Sequence, residues 1–178
     1  MKMGEWYKRW RHTRGYGVHS PYAYQLVKDV IRPPRVYAYY GYEQTDNLAR
    51  CGREIREARM LLRLVNSLRP VVVSLPEDTS ECFIAAIRCA VPGAKLVHDS
   101  ANADCADMLL LSGDMLAGQS IAELLAVPGR SLAVSNVSIE LRRQIFDALP
   151  EGVLFYGKRN LIAVNRPYMQ KIAISVRI

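Results

Sequence analysis

Side chains able to do chemistry are sparse, and the stretch that gathers them is Val71 to Ser80, VVVSLPEDTS, running on into Glu81-Cys82-Phe83-Ile84-Ala85-Ala86-Ile87. The pattern reads as a buried strand, a sharp turn and a helix. In nucleotide-binding α/β domains that turn is rich in glycine, so that bare backbone N–H groups can approach phosphate. Here it holds no glycine. Pro76 brings a ring and no N–H donor, while Glu77 and Asp78 place negative charge where the helix begins, a charge that suits capping and repels anions.

Other reactive residues do not converge in the sequence. Cys51, Cys82, Cys89 and Cys105 form no C-x-x-C pair, and His12, His19 and His98 do not join them at metal-ligand spacing, so no metal site is expected. All four cysteines read as reduced structural thiols, with Cys82 and Cys89 on one face of a helix. His19 reads either as a turn histidine or as a base. Eight of the ten tyrosines precede residue 43, and Tyr37, Tyr39, Tyr40 and Tyr42 follow Arg32 and Arg35. Aromatic rings beside arginine can stack bases and track phosphate. They can equally pack an extension onto a domain or build a dimer interface.

The 178 residues fit one α/β domain with an N-terminal extension, divided at 1–51 and 52–178. The formal net charge is +7, and it belongs to the N-terminal third: through Arg69 there are fourteen Lys and Arg against six Asp and Glu, and ten against eleven thereafter. Such a basic region suits nucleic acid, an anionic surface, an acidic protein partner or plain solvation. No apolar run approaches the ~20 residues that span a bilayer, and the start lacks the apolar core of a secretory signal. A cytoplasmic protein is expected.

The elements that must position these residues follow from periodicity. Ser20 and Pro21 open a helix whose apolar stripe is Ala23, Leu26, Val27, Val30 and Ile31, stopped by Pro33-Pro34. Gly52 to Arg69 carries a second stripe. From Pro70, short apolar runs alternate with helices, which predicts a mostly parallel sheet covered on both faces. Strands are expected at 71–75, 95–98, 106–111 and 131–135, the third of them central because it is apolar throughout after Asp107. Gly157-Lys158-Arg159-Asn160 joins two apolar runs as an antiparallel hairpin, and 172–176 adds an edge strand. Only seven residues, Asp99 to Cys105, link the second and third predicted strands, too few for a parallel crossover.

On these residues the chain resembles a Bacteroidetes-type family of class I S-adenosylmethionine (SAM)-dependent methyltransferase-like proteins. Gly15 to Tyr22, GYGVHSPY, is similar to that family's GxGVHSPF start; Leu61-Leu62-Arg63-Leu64-Val65 resembles its helix before the first strand; Gly152 to Val164 resembles its terminal hairpin. The resemblance implies a Rossmann-like, trimmed methyltransferase-type sheet. It also implies a SAM site in which Leu75 and Asp78 lie near the turn, Asp99 meets the ribose hydroxyls, and Tyr16 or His19 covers the mouth, with His19 the candidate for catalysis. Arg35 and Tyr39 stand with Tyr16 and His19 as contacts to substrate or partner.

The departures fall where the chemistry would be. Ser74 takes the place of the family's acid after the first strand, Pro76 that of the first glycine and Ser80 that of a later one. Ser112-Gly113-Asp114-Met115 and Ser135-Asn136-Val137-Ser138-Ile139 replace two acidic segments, and Asp114 and Asn136 by themselves do not make an oxygen-rich metal site. The expected protein is therefore methyltransferase-like but catalytically degenerate, with impaired SAM binding and no other cofactor, acting through a protein partner or as a homodimer. An active, divergent SAM-dependent methyltransferase is the alternative. Binding of RNA or an anionic surface by the basic N-terminal region is the third.

Overall fold

The computed structural model describes residues 3–14, 17–32, 54–98, 105–116 and 119–176. Helix α1 (Met3–Thr13) comes first, followed by α2 (Pro21–Leu26), which passes without a break into a π-helical turn at Val27–Ile31. The expected cap is present: Ser20 Oγ accepts from the N–H of Ala23 at 3.3 Å, with Pro21 in the first turn. Helix α3 (Ile55–Leu68) ends where Arg69 turns left-handed, and its apolar stripe is buried from Ala58 to Val65.

The alternating part is β1 (Val72–Ser74), α4 (Glu81–Ala90), β2 (Lys95–Val97), β3 (Met108–Ser112), a 3-10 turn at Gly113–Leu116, α5 (Ile121–Ala126), β4 (Ser131–Ser135), α6 (Ile139–Ala148), β5 (Gly152–Tyr156), β6 (Leu161–Asn165) and β7 (Ile172–Ser175). One seven-stranded sheet results, in the order β2-β1-β3-β4-β6-β5-β7. Every strand is parallel to the others except β6, which pairs antiparallel with both β4 and β5. This is the mostly parallel Rossmann-like sheet with a C-terminal antiparallel hairpin that the alternation predicts, and the apolar β3 is central. The edge strand at the end exists, and it lies parallel to β5.

Alternating side chains divide the core into two layers, as the period of two in a strand requires. Met108, Val153, Phe155, Ile162 and Val164 face α2, its π turn and α3, whereas Leu109, Leu154, Leu161 and Ala163 face α5 and α6. Residues 23–30 belong to the first layer, and Arg63 Nε donates to Val30 O at 2.8 Å, so the N-terminal helices complete the core of the sheet.

Two expectations need correction. The chain does return in parallel between β2 and β3, which flank β1 on opposite sides. β3 begins at Met108, so ten residues are available where seven were counted, and the three-residue β1 and β2 leave a return path of only about 10 Å. The second correction is chemical: Cys82 is disulfide-bonded, while Cys89 and Cys105 are thiols. Cys82 and Cys89 do share a face, packed against Ala58, Leu62 and Ala86, and desolvation there pushes the Cys89 thiol pKa up. Among the described residues, no helix is long and apolar enough to cross a membrane.

Candidate functional site

The chain leaves β1 toward β2 and comes back to β3 on the other side, so the direction of winding reverses between β1 and β3. Loops diverge from the carboxyl ends of two such strands and leave a crevice, the usual ligand position in open α/β sheets. A cleft of about 600 Å³ opens at this point. Pro76, Asp78, Thr79 and Ser80 form the wall after β1; Ser112 and Ser135, paired in register, end β3 and β4 at its floor. Glu54, Glu57 and Met60 of the α3 region cover it, and Arg159 reaches in from the β5–β6 hairpin.

Local geometry holds the turn closed. The N–H of Leu75 donates to Val97 O at 2.8 Å and its side chain is buried, 3 % exposed, in the core under the helices. Thr79 donates twice to Pro76 O, from its N–H at 3.2 Å and from Oγ1 at 2.6 Å. Ser80 stands at the N-cap position of α4 with extended backbone, yet its hydroxyl makes no cap. Instead Ser80 Oγ donates to Glu54 Oε2 at 2.7 Å. A carboxylate from the N-terminal end of α3 therefore lies over the start of α4, where the positive end of a helix would attract a ligand's anion.

At the floor the backbone is crowded. Asn136 adopts a left-handed φ of +54°, and a Cβ on Gly113 would stand 2.5 Å from Asn136 O, so residue 113 has no room for a side chain. Val137 N–H donates to Arg159 O at 2.8 Å, which ties the hairpin tip to the loop after β4. Among the described residues, Glu54, Glu57, Asp78 and Arg159 are the charged side chains lining the cleft, three negative against one positive.

Of the residues singled out from the sequence, Asp78 lines this cleft, and Leu75 contributes backbone and core rather than a surface. His19 lines a different cavity, beside β7. Tyr16, Arg35, Tyr39 and Asp99 lie outside the described residues. Among the described residues no three His, Cys, Asp or Glu side chains gather as a metal site. Glu54 and Arg159 were not legible as site residues; 26 residues separate Glu54 from Ser80, and their contact exists only once α3 packs on α4. A helix-start glutamate is the one sequence signal, and it reads as a response to the macrodipole.

At this turn Pro76 supplies no N–H, and Glu54 holds the hydroxyl of Ser80 at the helix start. No protein-family model and no curated protein matches the sequence. Among solved structures the chain is similar to a methyltransferase from Geobacter sulfurreducens, at 16 % identity over 75 % of this chain and 92 % of that one, with a TM-score of 0.42.

Proposed function

We propose that this chain is a degenerate, methyltransferase-like protein, a trimmed relative of the Bacteroidetes-type family that Gly15 to Tyr22 resembles, which acts by binding rather than by methyl transfer. The observation that carries this reading is the hydrogen bond from Ser80 to Glu54 in a turn already closed by Pro76. The fold keeps a crevice at its switch point, and the chain's own carboxylate stands where a cofactor carboxylate would be held. Three acids around that crevice repel the same group, since like charges in a partly dry cleft interact more strongly than in water. Calorimetric titration with SAM tests the reading. No saturable heat in the micromolar range is expected, and micromolar binding would overturn it.

The volume of the cleft favours a second reading, because about 600 Å³ falls in the range of small-molecule sites. In that reading the protein is a divergent SAM-dependent methyltransferase, with Asp78 beside the cofactor and a binding pose shifted away from Ser80. The same titration separates the two: saturable binding that Asp78→Asn weakens and Glu54→Ala leaves intact selects the enzyme.

A further inference from the structure

A second cavity, of about 740 Å³, lies between α1, the turn at 17–22 and the segment joining β6 to β7. It shares no lining residue with the first cleft, and its electrostatics are the reverse. His12, His19 and Arg166 line it, and among the described residues no carboxylate does. The guanidinium of Arg166 lies 5.0 Å from the centroid of the Tyr22 ring, which leaves a flat cationic and aromatic surface. Lys8 and Arg11 on α1 lie close enough to His12 to act on it electrostatically, and their charge adds positive field on this side.

Tyr168 is the anomaly of this cavity. Among the described residues three non-glycines have positive φ: Arg69, Asn136 and Tyr168. Arg69 ends a helix and asparagine tolerates the conformation, but a bulky aromatic at +64° is held at a cost. The ring gains no packing in return, for the residue is fully exposed. What holds the conformation is Glu151, whose carboxylate accepts from the Tyr168 N–H and is thereby engaged on the backbone. On α1, the Nδ1 atom of His12 is shut off from solvent and has no hydrogen-bond partner among the described residues.

We propose that this cavity binds a nucleotide unit, with the base stacked on Tyr168 and the phosphate on Arg166. An exposed ring stacks any base, a guanidinium matches phosphate oxygens, and among the described residues no lining carboxylate opposes the anion. The unit is either a free nucleoside monophosphate or one residue of a single-stranded RNA, and the two share this chemistry. The inference is independent of the reading of the first cleft.

Fluorescence anisotropy with a labelled single-stranded oligoadenylate at about 50 mM salt tests it, with adenosine monophosphate as competitor. Tyr168→Asn keeps the left-handed backbone and removes the ring; it should weaken binding by about tenfold. Tyr168→Phe should bind as the parent does. Arg166→Gln should weaken binding and lower the log–log salt slope by about one. Gly93→Ala, outside both cavities and with open space around it, should change neither. Competition by the monophosphate identifies the free nucleotide as a sufficient ligand; absence of competition, with binding still lost in Tyr168→Asn, identifies the strand. Thermal melts establish that each variant is folded. No binding by the folded parent, or binding that Tyr168→Asn and Arg166→Gln both leave unchanged, overturns the proposal.

Discussion

Ser80 and Glu54 meet through a 2.7 Å hydrogen bond, hydroxyl to carboxylate, and this contact joins the first helix of the α/β unit to the helix that precedes its first strand. It turns the N-cap serine of α4 away from its own backbone and leaves the helix start faced by a carboxylate from α3. One contact thus links the packing of the N-terminal helices to the chemistry of the crevice.

Glu54→Ala should remove that contact, and Glu54→Gln should keep it, since an amide oxygen also accepts. Because the pair is exposed, the alanine variant is expected to lose about 0.5–1 kcal/mol and the glutamine variant less. Denaturant midpoints measured side by side check this, and equal stability of the two variants would show that the contact contributes nothing.

Gly152 begins β5 with φ at +113°, and a Cβ there would stand 2.1 Å from Val164 O and 2.7 Å from Arg166 N. Both atoms are backbone of the paired strand region and have little room to yield. Gly152→Ala is expected to cost about 3 kcal/mol or more, or to abolish folding. Gly93→Ala, with nothing within 4 Å and no positive φ, serves as the control and should be nearly neutral. Thermal unfolding of the pair distinguishes them.

Arg130 is 2 % exposed, and its guanidinium donates to Ala106 O at 2.9 Å and to Leu124 O at 3.0 Å. It joins the residue before β4 to the approach to β3 and to α5. Asn165 works beside it, donating to Leu125 O at 2.7 Å and Val127 O at 3.0 Å. Arg130→Met should strand these carbonyls in a dry environment and cost about 2–4 kcal/mol. A chemical-denaturation series that placed Arg130→Met within experimental error of the parent would refute this role.

His12 supplies a pH dependence. Desolvation chiefly, then the nearby Lys8, and to a smaller degree Arg11, lower its pKa below 6.5, against an opposing hydrogen bond with the Ser175 backbone. The unfolded chain therefore takes up a proton on this imidazole before the folded chain does. Stability from this group is whole above the unfolded value of about 6.5 and falls as pH drops toward the folded value. A lower melting temperature at pH 5.5 than at pH 7.5 is expected, with the difference reduced in His12→Gln; an unchanged difference would dismiss His12 as its source.

Most elements were legible from local pattern. The stripe from Ala23 to Ile31, the stripe of α3, the apolar run at Met108–Leu111 and the Gly157–Asn160 connection each carry a period or a turn signal that survives in the fold. The parallel return between β2 and β3 was not legible, because the need for a long crossover weakens when the strands being crossed are only three residues long. Nor was the bonded state of Cys82, since C-x-x-C spacing says nothing about cysteines brought together by packing.

The layer structure and the absence of a glycine cradle at Pro76 follow from residue type and local periodicity alone. Long-range packing brings Glu54 to Ser80, sets the three acids in one cleft with Arg159, and gathers Arg166, Tyr22 and a strained Tyr168 beside β7. Those relationships join residues far apart in the chain, and they exist only because the apolar stripes of α2 and α3 must bury themselves on the sheet.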